Sequence, residues 1–375
     1  MKYLTLLLLL VLTPALYAQS IQEIEAFSAR LEEAVATGDE STLKAIFDSK
    51  RFIDLIIDES DDRDMRYFNL GFRKAMEDRG MMTSMLEVYN AESTTYRFVS
   101  SYIDNGEAHA VFRLYGDDGI NYHNHKLVET TEGLKILDSY VAMTGEFLSE
   151  TMKRLYLMAS SSIQSEKRTG EEEDMMKSMI KATELKEKFQ SGNFEAAIDI
   201  LNGLNSELRK EKTFMLMDLM IKAQLDDGSY MESLSNYQRT FPNDPSSYLI
   251  SLDYLTLKEE YDACLAAVDK LDGLIKGDDF LNLFRGNLNY LKKDYDAALK
   301  YMLQFTQDHA DILDGWDVML SVRVDRKEYT EATSVIEKMM ALIALEKEYI
   351  TAFIEEEPTY ADFVKSDEYK AWKEN

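Results

Sequence analysis

The sequence predicts two consecutive architectures: an α+β domain first, then an all-α repeat array closed by capping helices at the carboxyl end. Two observations support this prediction. Up to about residue 78 apolar residues recur every three or four positions, and from residue 94 they recur every second position, which are the periods of helices and strands. Further along, a pairing of one aromatic and one small residue returns five times, which is typical of stacked repeats.

The first domain is expected to span residues 19–160. Helical periodicity covers the region from Ile21 to about residue 78. Four strands are predicted at 95–103, 107–115, 120–130 and 134–142, with a closing helix at about 145–159. The first two strands flank Asp104-Asn105-Gly106, a strong hairpin turn because Asn and Gly tolerate positive φ. The strands should form an antiparallel meander that buries one face under the helices. This order of elements is similar to the NTF2/cystatin-like cone, in which a bent sheet wraps a helix.

The repeated pattern places a small residue three positions after each aromatic. The pairs are Phe194/Ala197, Tyr230/Ser233, Tyr261/Cys264, Tyr295/Ala298 and Tyr329/Ala332. The aromatics are 36, 31, 34 and 34 residues apart. A small residue lets the two helices of a pair approach each other, while the aromatic fills the gap at the turn. Gly192 and Gly228 precede the first two aromatics as turn residues able to take positive φ, and the last three turns lack such a glycine.

This pattern resembles the tetratricopeptide repeat (TPR), a 34-residue pair of antiparallel helices. Gly286, Trp316 and Pro245 also occupy positions of that consensus. The ending with Pro358, Tyr360, Phe363, Ser366, Tyr369 and Trp372 resembles that of exported TPR proteins of Gram-negative bacteria. The resemblance implies an envelope protein without assigned functional residues. The expected boundaries are a linker at 161–173, about five repeats at 174–344 and capping helices at 345–375.

Residues 1–18 read as a secretory signal peptide. Lys2 precedes the short apolar run 4–12, and Pro14 breaks it before Ala18, after which cleavage is expected. An uncleaved anchor is the alternative. The predicted location is the periplasm or the exterior, without stable membrane insertion. The formal net charge of −27 opposes binding to nucleic acid or anionic lipid.

Three histidines lie close together along the predicted meander. His123 and His125 share a face of one strand, as a metal pair would. If 116–119 forms the turn, Ala110 lies opposite His125 and His109 points to the other face. The favoured interpretation is therefore polar residues on the solvated face or the mouth of the sheet, and no metal site is predicted.

No catalytic motif is present. The chain has no Gly-x-Ser-x-Gly, His-Glu-x-x-His, phosphate-binding glycine loop or Cys-x-x-Cys. Cys264, the only cysteine, occupies the small position of the third repeat, where burial shields the sulfur. We therefore expect a non-enzymatic protein without a cofactor.

The predicted functional surface is the groove lined by the first helix of each repeat. Alignment to the TPR consensus places Asn287, Tyr290, Asp317 and Ser321 on that lining. Such grooves bind extended peptides or partner helices. The leading hypothesis is therefore a protein that binds or scaffolds a protein or peptide partner, with its oligomeric state open. The alternative is a small-ligand-binding or weak hydrolase-like module at 19–160, with the repeats as a targeting arm.

Overall fold

The computed structural model describes residues 21–58, 63–86, 94–116, 119–164, 170–343 and 346–374. The predicted signal peptide lies outside these residues. The chain divides into two compact units, Met1–Ile250 and Ser251–Asn375. The first contains one antiparallel sheet with helices before and after it, and the described residues of the second are helical. The predicted α+β beginning and helical continuation are therefore confirmed.

Helices form the beginning of the described chain. They are α1 (21–37), α2 (Glu40–Ala45), α3 (Ser49–Ile56), α4 (Arg63–Arg79) and α5 (Met81–Leu86). The carboxylates of Asp39 and Asp48 accept hydrogen bonds from the backbone nitrogens of Thr42 and Arg51, each at 3.1 Å. These N-caps satisfy donors that have no partner within the helix, and so fix where α2 and α3 begin.

The sheet is a meander in which each strand pairs antiparallel with the next. Its strands are β1 (Thr95–Asp104), β2 (Glu107–Gly116), β3 (Gly119–Thr130), β4 (Gly133–Val141) and β5 (Glu146–Phe147). The first four match their predicted bounds to within one residue. Asn105 and Gly106 take positive φ angles of 50° and 82° in the hairpin between β1 and β2, as their residue types predict.

The fifth strand corrects the prediction of a four-stranded sheet followed by a helix from residue 145. Gly145 has a φ of 67°, which interrupts right-handed helix, and β5 then pairs with Tyr140 and Val141. The helix α6 (Leu148–Gln164) begins only after it. There the Glu150 carboxylate accepts a hydrogen bond from the Phe147 backbone nitrogen at 2.9 Å.

One face of the sheet packs against the surrounding helices as a single apolar core. Its most deeply buried members include Ile24, Leu31, Phe52, Ile53, Ile56, Ala110, Phe112 and Ile136. Burying a large apolar side chain contributes roughly 1.5–3 kcal/mol. This core is therefore the main stabilising contribution to the α+β region.

Helices continue from α6 to the end of the described chain. In the first unit they are α7 (Gly170–Gln190), α8 (Phe194–Asn202), α9 (Ser206–Arg209), α10 (Lys212–Ala223) and α11 (Asp227–Thr240). Then follow α12 (Ser247–Leu257), α13 (Tyr261–Ile275), α14 (Asn282–Leu291), α15 (Tyr295–Asp308), α16 (Leu313–Asp325) and α17 (Tyr329–Ile343). The last are α18 (Lys347–Glu356), α19 (Ala361–Val364) and α20 (Asp367–Glu374).

The predicted linker at 161–173 is helical at both of its described ends. Residues 161–164 complete α6 and residues 170–173 begin α7, while 165–169 lie outside the described residues. The linker prediction rested on the lack of apolar periodicity, which does not by itself exclude helical backbone.

Within the first unit, an ion-pair seam joins the end of the sheet to α10. Glu146 accepts hydrogen bonds from Arg154 at 2.5 and 3.0 Å, and Arg154 also contacts Glu211 at 2.9 Å. Lys212 lies 2.5 Å from Asp244. Burial tends to raise the pKa of Asp244, but hydrogen bonds from Lys212 and Ser246 lower it overall. Hydrogen bonds and ion pairs therefore connect the α+β region directly to the start of α10.

The aromatic–small pattern falls where two helices meet. Four of the aromatics are the first residue of α8, α13, α15 or α17, and Tyr230 lies in the first turn of α11. All five small residues are buried: Ala197, Ser233, Cys264, Ala298 and Ala332. The spacing thus marks helix starts and close helix contacts.

The turns before these helices use left-handed residues. Gly192 has a φ of 72°, and Glu259, Lys293 and Lys327 have φ of 59°, 63° and 60° at the corresponding positions. The predicted turn role of Gly228 was wrong, because that residue lies inside α11. Its helix is capped instead by Asp226, whose carboxylate accepts a hydrogen bond from the Ser229 backbone nitrogen.

The carboxyl end folds back on the last pair of helices. A 3₁₀ turn (Pro358–Tyr360) precedes α19 and α20. The aromatics of the predicted cap are buried: Tyr360, Phe363, Tyr369 and Trp372. The Phe363 ring lies 5.5 Å from the ring of Tyr329, so this segment covers apolar surface of α17.

Candidate functional site

Two helices of the second unit carry the four residues predicted to bind a partner. Asn287 and Tyr290 lie on α14, and Asp317 and Ser321 lie on α16. Tyr360 hydrogen-bonds to both Ser321 and Asp317, and Ser321 also influences the pKa of the Tyr290 hydroxyl. Asn287 is exposed. The structure therefore brings Tyr290, Asp317 and Ser321 close together, whereas Asn287 is not part of this group.

Two further residues complete this group around a carboxylate at the end of α16. The Tyr295 hydroxyl donates to Asp325 Oδ2 at 3.1 Å, and Asp325 also raises the pKa of Tyr290. The rings of Tyr290 and Tyr295 are 6.2 Å apart. We call the whole group the tyrosine–aspartate cluster. Its members are Tyr290, Tyr295, Asp317, Ser321, Asp325 and Tyr360.

Tyr360 reaches the cluster from the capping segment. Its hydroxyl lies 3.0 Å from Ser321 Oγ and donates to Asp317 Oδ1 at 3.3 Å. The residue is only 2% exposed, and its ring lies 6.3 Å from that of Phe353. The cap of the chain therefore occupies the Asp317 and Ser321 end of the predicted lining, whereas Asn287 is accessible.

The electrostatics of the cluster favour cations. Burial raises the pKa of Asp317, and the neighbouring Asp314 and Glu357 raise it further. Burial and Asp325 raise the pKa of Tyr290 to about 12. Among the described residues, no lysine or arginine forms a salt bridge with Asp317 or Asp325. The cluster is thus an anionic, hydroxyl-rich surface without an internal counter-ion.

Sequence reasoning missed Tyr295, Asp325 and Tyr360 as members. Asp325 was detectable, because Asp317, Ser321 and Asp325 follow at four-residue steps on one face of a helix. Tyr295 was assigned only a turn-filling role. Tyr360 was recognised as part of a cap, but its place beside α16 depends on a tertiary contact that no local spacing encodes.

In the first unit, the histidines form a second polar group, which we call the histidine relay. Its members are Tyr96, His123, His125 and Ser139. The Tyr96 hydroxyl lies 2.6 Å from His125 Nε2 and 3.4 Å from His123 Nδ1. His125 Nδ1 lies 2.7 Å from Ser139 Oγ. A neutral imidazole can satisfy both of its contacts, as donor at one nitrogen and acceptor at the other.

The predicted register is confirmed, but the predicted environment is not. Ala110 pairs with His125, and His109 lies on the opposite face, where it contacts Asn124 and stacks on Tyr102 at 4.7 Å. However, His123 and His125 are 1% and 0% exposed. The solvated-face interpretation was wrong because helices cover this side of the sheet.

Burial determines the chemistry of the relay. It lowers the pKa of His123 to about 3. Burial and the neighbouring His123 lower the pKa of His125 well below its ordinary value. Both rings are therefore neutral at pH 7, and Ser139 is fully buried. Among the described residues, no group of three or more potential metal ligands comes together.

Comparisons with known proteins add no identification: no family model, curated protein or solved structure matched the chain. None of the described helices combines the length and the apolar character needed to cross a bilayer.

Proposed function

We propose that this chain is an exported, non-enzymatic TPR protein that binds a protein or peptide partner at the tyrosine–aspartate cluster. The observation that carries the proposal is the pair of aspartates, Asp317 and Asp325, held among tyrosines without a described salt bridge. Tyrosine supplies apolar area and a hydrogen-bonding tip with little conformational freedom to lose, which favours recognition. A surface of this kind suits a partner segment that carries lysine or arginine.

The accessible part of the cluster is the place where binding should begin. Within the cluster Asp325 is exposed and Tyr290 is half-buried, and Asn287, three residues before Tyr290 on α14, is also exposed, whereas Tyr360 already covers Asp317 and Ser321. A cationic side chain bound at Asp325 would lie near Tyr295, which donates to this carboxylate and whose π face attracts cations. The partner therefore contacts α14 first.

Site-specific photocrosslinking tests this proposal in the full chain. A benzophenone amino acid replaces Asn287 in one variant and Gln304, an exposed residue of α15, in a matched control. We expect a discrete crosslinked partner from position 287 alone, lost when Tyr290→Ala is added. Equal crosslinking from both positions, or crosslinking unaffected by Tyr290→Ala, would contradict the proposal.

The alternative, a ligand-binding or hydrolase-like first domain, has one supporting feature, the contact between Ser139 and His125. Both residues are fully buried, and a nucleophile must be reached by its substrate. The same face of the sheet is filled by Phe112, Ala110 and Tyr96. These observations favour a structural role for the relay.

Export is the second part of the proposal. It rests on the positive end, apolar run and small residues of 1–18. Mass spectrometry of the protein recovered outside the cytoplasm should find Gln19 as the first residue. Recovery of the intact amino terminus in the cytoplasm would contradict it.

A further inference from the structure

A second concave surface lies at the carboxyl end of the second unit, between α17, α18 and α20. It forms an open depression of about 880 Å³. Its lining includes the apolar residues Met340, Ala341 and Trp372. The carboxylates of Glu337, Glu346 and Glu368 belong to the same lining. We call it the terminal groove and define it by Glu337, Met340, Glu346, Lys347, Glu368 and Trp372.

The charges of the terminal groove are unbalanced. Within the described ranges, Glu337, Glu346 and Glu368 form no salt bridge or side-chain hydrogen bond. Lys347 is the cation of the lining, and it is already engaged. Its ammonium lies 4.7 Å from the centre of the Trp372 ring and donates to the Trp372 carbonyl oxygen at 2.5 Å. Three carboxylates are therefore left to attract positive charge from outside.

Two exposed aromatics lie on α18, the helix that contributes Lys347 to the lining. Tyr349 and Phe353 are four residues apart, so they share one side of this helix. Tyr349 is 68% exposed and Phe353 is 49% exposed. Exposed aromatics beside an apolar cavity are typical of surfaces that bind another protein.

We propose that the terminal groove binds an amphipathic helix of a partner protein, with lysine and arginine flanking an apolar stripe. The apolar stripe would cover Met340 and Trp372, and the basic residues would face Glu337, Glu346 and Glu368. The lining residues of α17 extend from Thr330 to Ala341, about 17 Å along the helix axis, which leaves room for about three turns of a bound helix. This surface is separate from the tyrosine–aspartate cluster, so the inference does not depend on the proposed function.

Fluorescence anisotropy with synthetic peptides tests the inference on the full mature chain. The probe is a labelled 16-residue helical peptide with leucines at three- and four-residue steps and lysines on both flanks. A scrambled peptide of the same composition has no apolar stripe, and a third peptide carries glutamate in place of lysine. We expect the first peptide to bind at least about tenfold more tightly than either control, with an affinity that falls as salt increases.

Matched variants locate the binding. Glu337→Gln/Glu346→Gln/Glu368→Gln should weaken the first peptide about tenfold, because each carboxylate adds a modest attraction. The control Asp279→Asn/Asp308→Asn/Asp311→Asn removes the same charge from exposed residues outside the lining and should change the affinity less than about twofold. Ala341→Lys, at an exposed position of the groove wall, should abolish binding without changing the circular dichroism spectrum.

Two results would overturn the inference. One is equal affinity for the amphipathic and scrambled peptides, which would indicate nonspecific attraction to an acidic protein. The other is an equal effect of the two triple variants, which would indicate binding elsewhere. Loss of Tyr290-dependent crosslinking would refute only the proposed function.

Discussion

Each of the two polar clusters of this protein is built around a tyrosine hydroxyl that bridges two side chains, but the surroundings of the two clusters differ. In the first unit, Tyr96 bridges two histidines that are almost completely buried. In the second unit, Tyr360 bridges Ser321 and Asp317, in a cluster whose Tyr290 remains half-buried. The relay is built from neighbouring strands and holds a core together. The tyrosine–aspartate cluster is built from α14, α15, α16 and the 3₁₀ turn, and one of its members, Asp325, is exposed.

The clusters also differ in the pH range in which they should lose folding stability. Both are arranged for pH 7, with neutral histidines in one and neutral tyrosines in the other. The histidines of the relay have lowered pKa values, whereas the tyrosines have raised ones. Acid should therefore weaken the relay of the first unit, and alkali should weaken the tyrosine–aspartate cluster of the second.

The largest expected effect is acid destabilisation of the first unit. An unfolded histidine takes up a proton near pH 6.5, whereas His123 in the folded chain does so only near pH 3. The unfolded state therefore binds more protons between these values, and stability falls by up to about 1.4 kcal/mol per pH unit for each histidine. Hydrogen exchange of the β2 and β3 amides at pH 6.5 and 4.5 measures this loss.

The chain supplies an internal reference for that experiment. Both tryptophans, Trp316 and Trp372, lie in the second unit, so their fluorescence follows that unit alone. His123→Gln/His125→Gln should flatten the pH dependence of the first unit while leaving the fluorescence transition unchanged. Identical pH slopes for variant and original would contradict the prediction.

The next effect is the loss of the hydroxyl at the centre of the relay. Tyr96→Phe leaves buried imidazole nitrogens without the hydroxyl and should cost about 2 kcal/mol of unfolding free energy. Tyr102→Phe is a matched control on the opposite face, where the hydroxyl accepts from Asn124 at 2.6 Å in a less buried setting. Its cost should be less than half as large by hydrogen exchange. Equal losses of unfolding free energy in the two variants would show that the relay hydroxyl contributes no more stability than the less buried hydroxyl of Tyr102.

An alkaline test examines the second cluster. Burial raises the pKa of Tyr360 above its ordinary value, so above about pH 10 the unfolded chain releases a proton that the folded chain retains. The stability of the second unit should then fall by up to about 1.4 kcal/mol per pH unit. The guanidinium midpoint followed by tryptophan fluorescence at pH 8 and 10.5 measures this loss.

Tyr360→Phe should cost about 1 kcal/mol of unfolding free energy at pH 8 and reduce the alkaline loss. An unchanged alkaline loss would exclude Tyr360 as its source.

The smallest effects concern the repeated turn. Lys293 holds a left-handed conformation with a φ of 63° where the first unit uses Gly192. Lys293→Gly should stabilise the second unit by about 0.5 kcal/mol, because glycine tolerates this conformation and its greater unfolded freedom offsets part of the gain. Gly192→Ala should cost the first unit about 1 kcal/mol. Thermal unfolding of both variants checks the opposite signs, and equal signs would contradict this explanation.

Local periodicity was sufficient to predict most helices and strands and the register between β2 and β3. The pairing of Ala110 with His125 followed from a turn and a two-residue period. The burial of His125 did not follow, because the covered face of a sheet is decided by helices far away in sequence. The same limit explains Tyr360, whose motif indicated a cap but not its bond to Ser321. Gly228 was misassigned because its neighbour Asp226 supplies the cap.

The contact around Gly145 also bears on how such a chain can change over evolutionary time. A Cβ atom there would overlap the Ser246 backbone nitrogen and lie 2.6 Å from Asp244 Oδ1, beside the ion-pair seam. We therefore expect evolution to keep a glycine at position 145, because any side chain there would displace the backbone of Ser246 and disturb the neighbouring ion pair of Lys212 and Asp244.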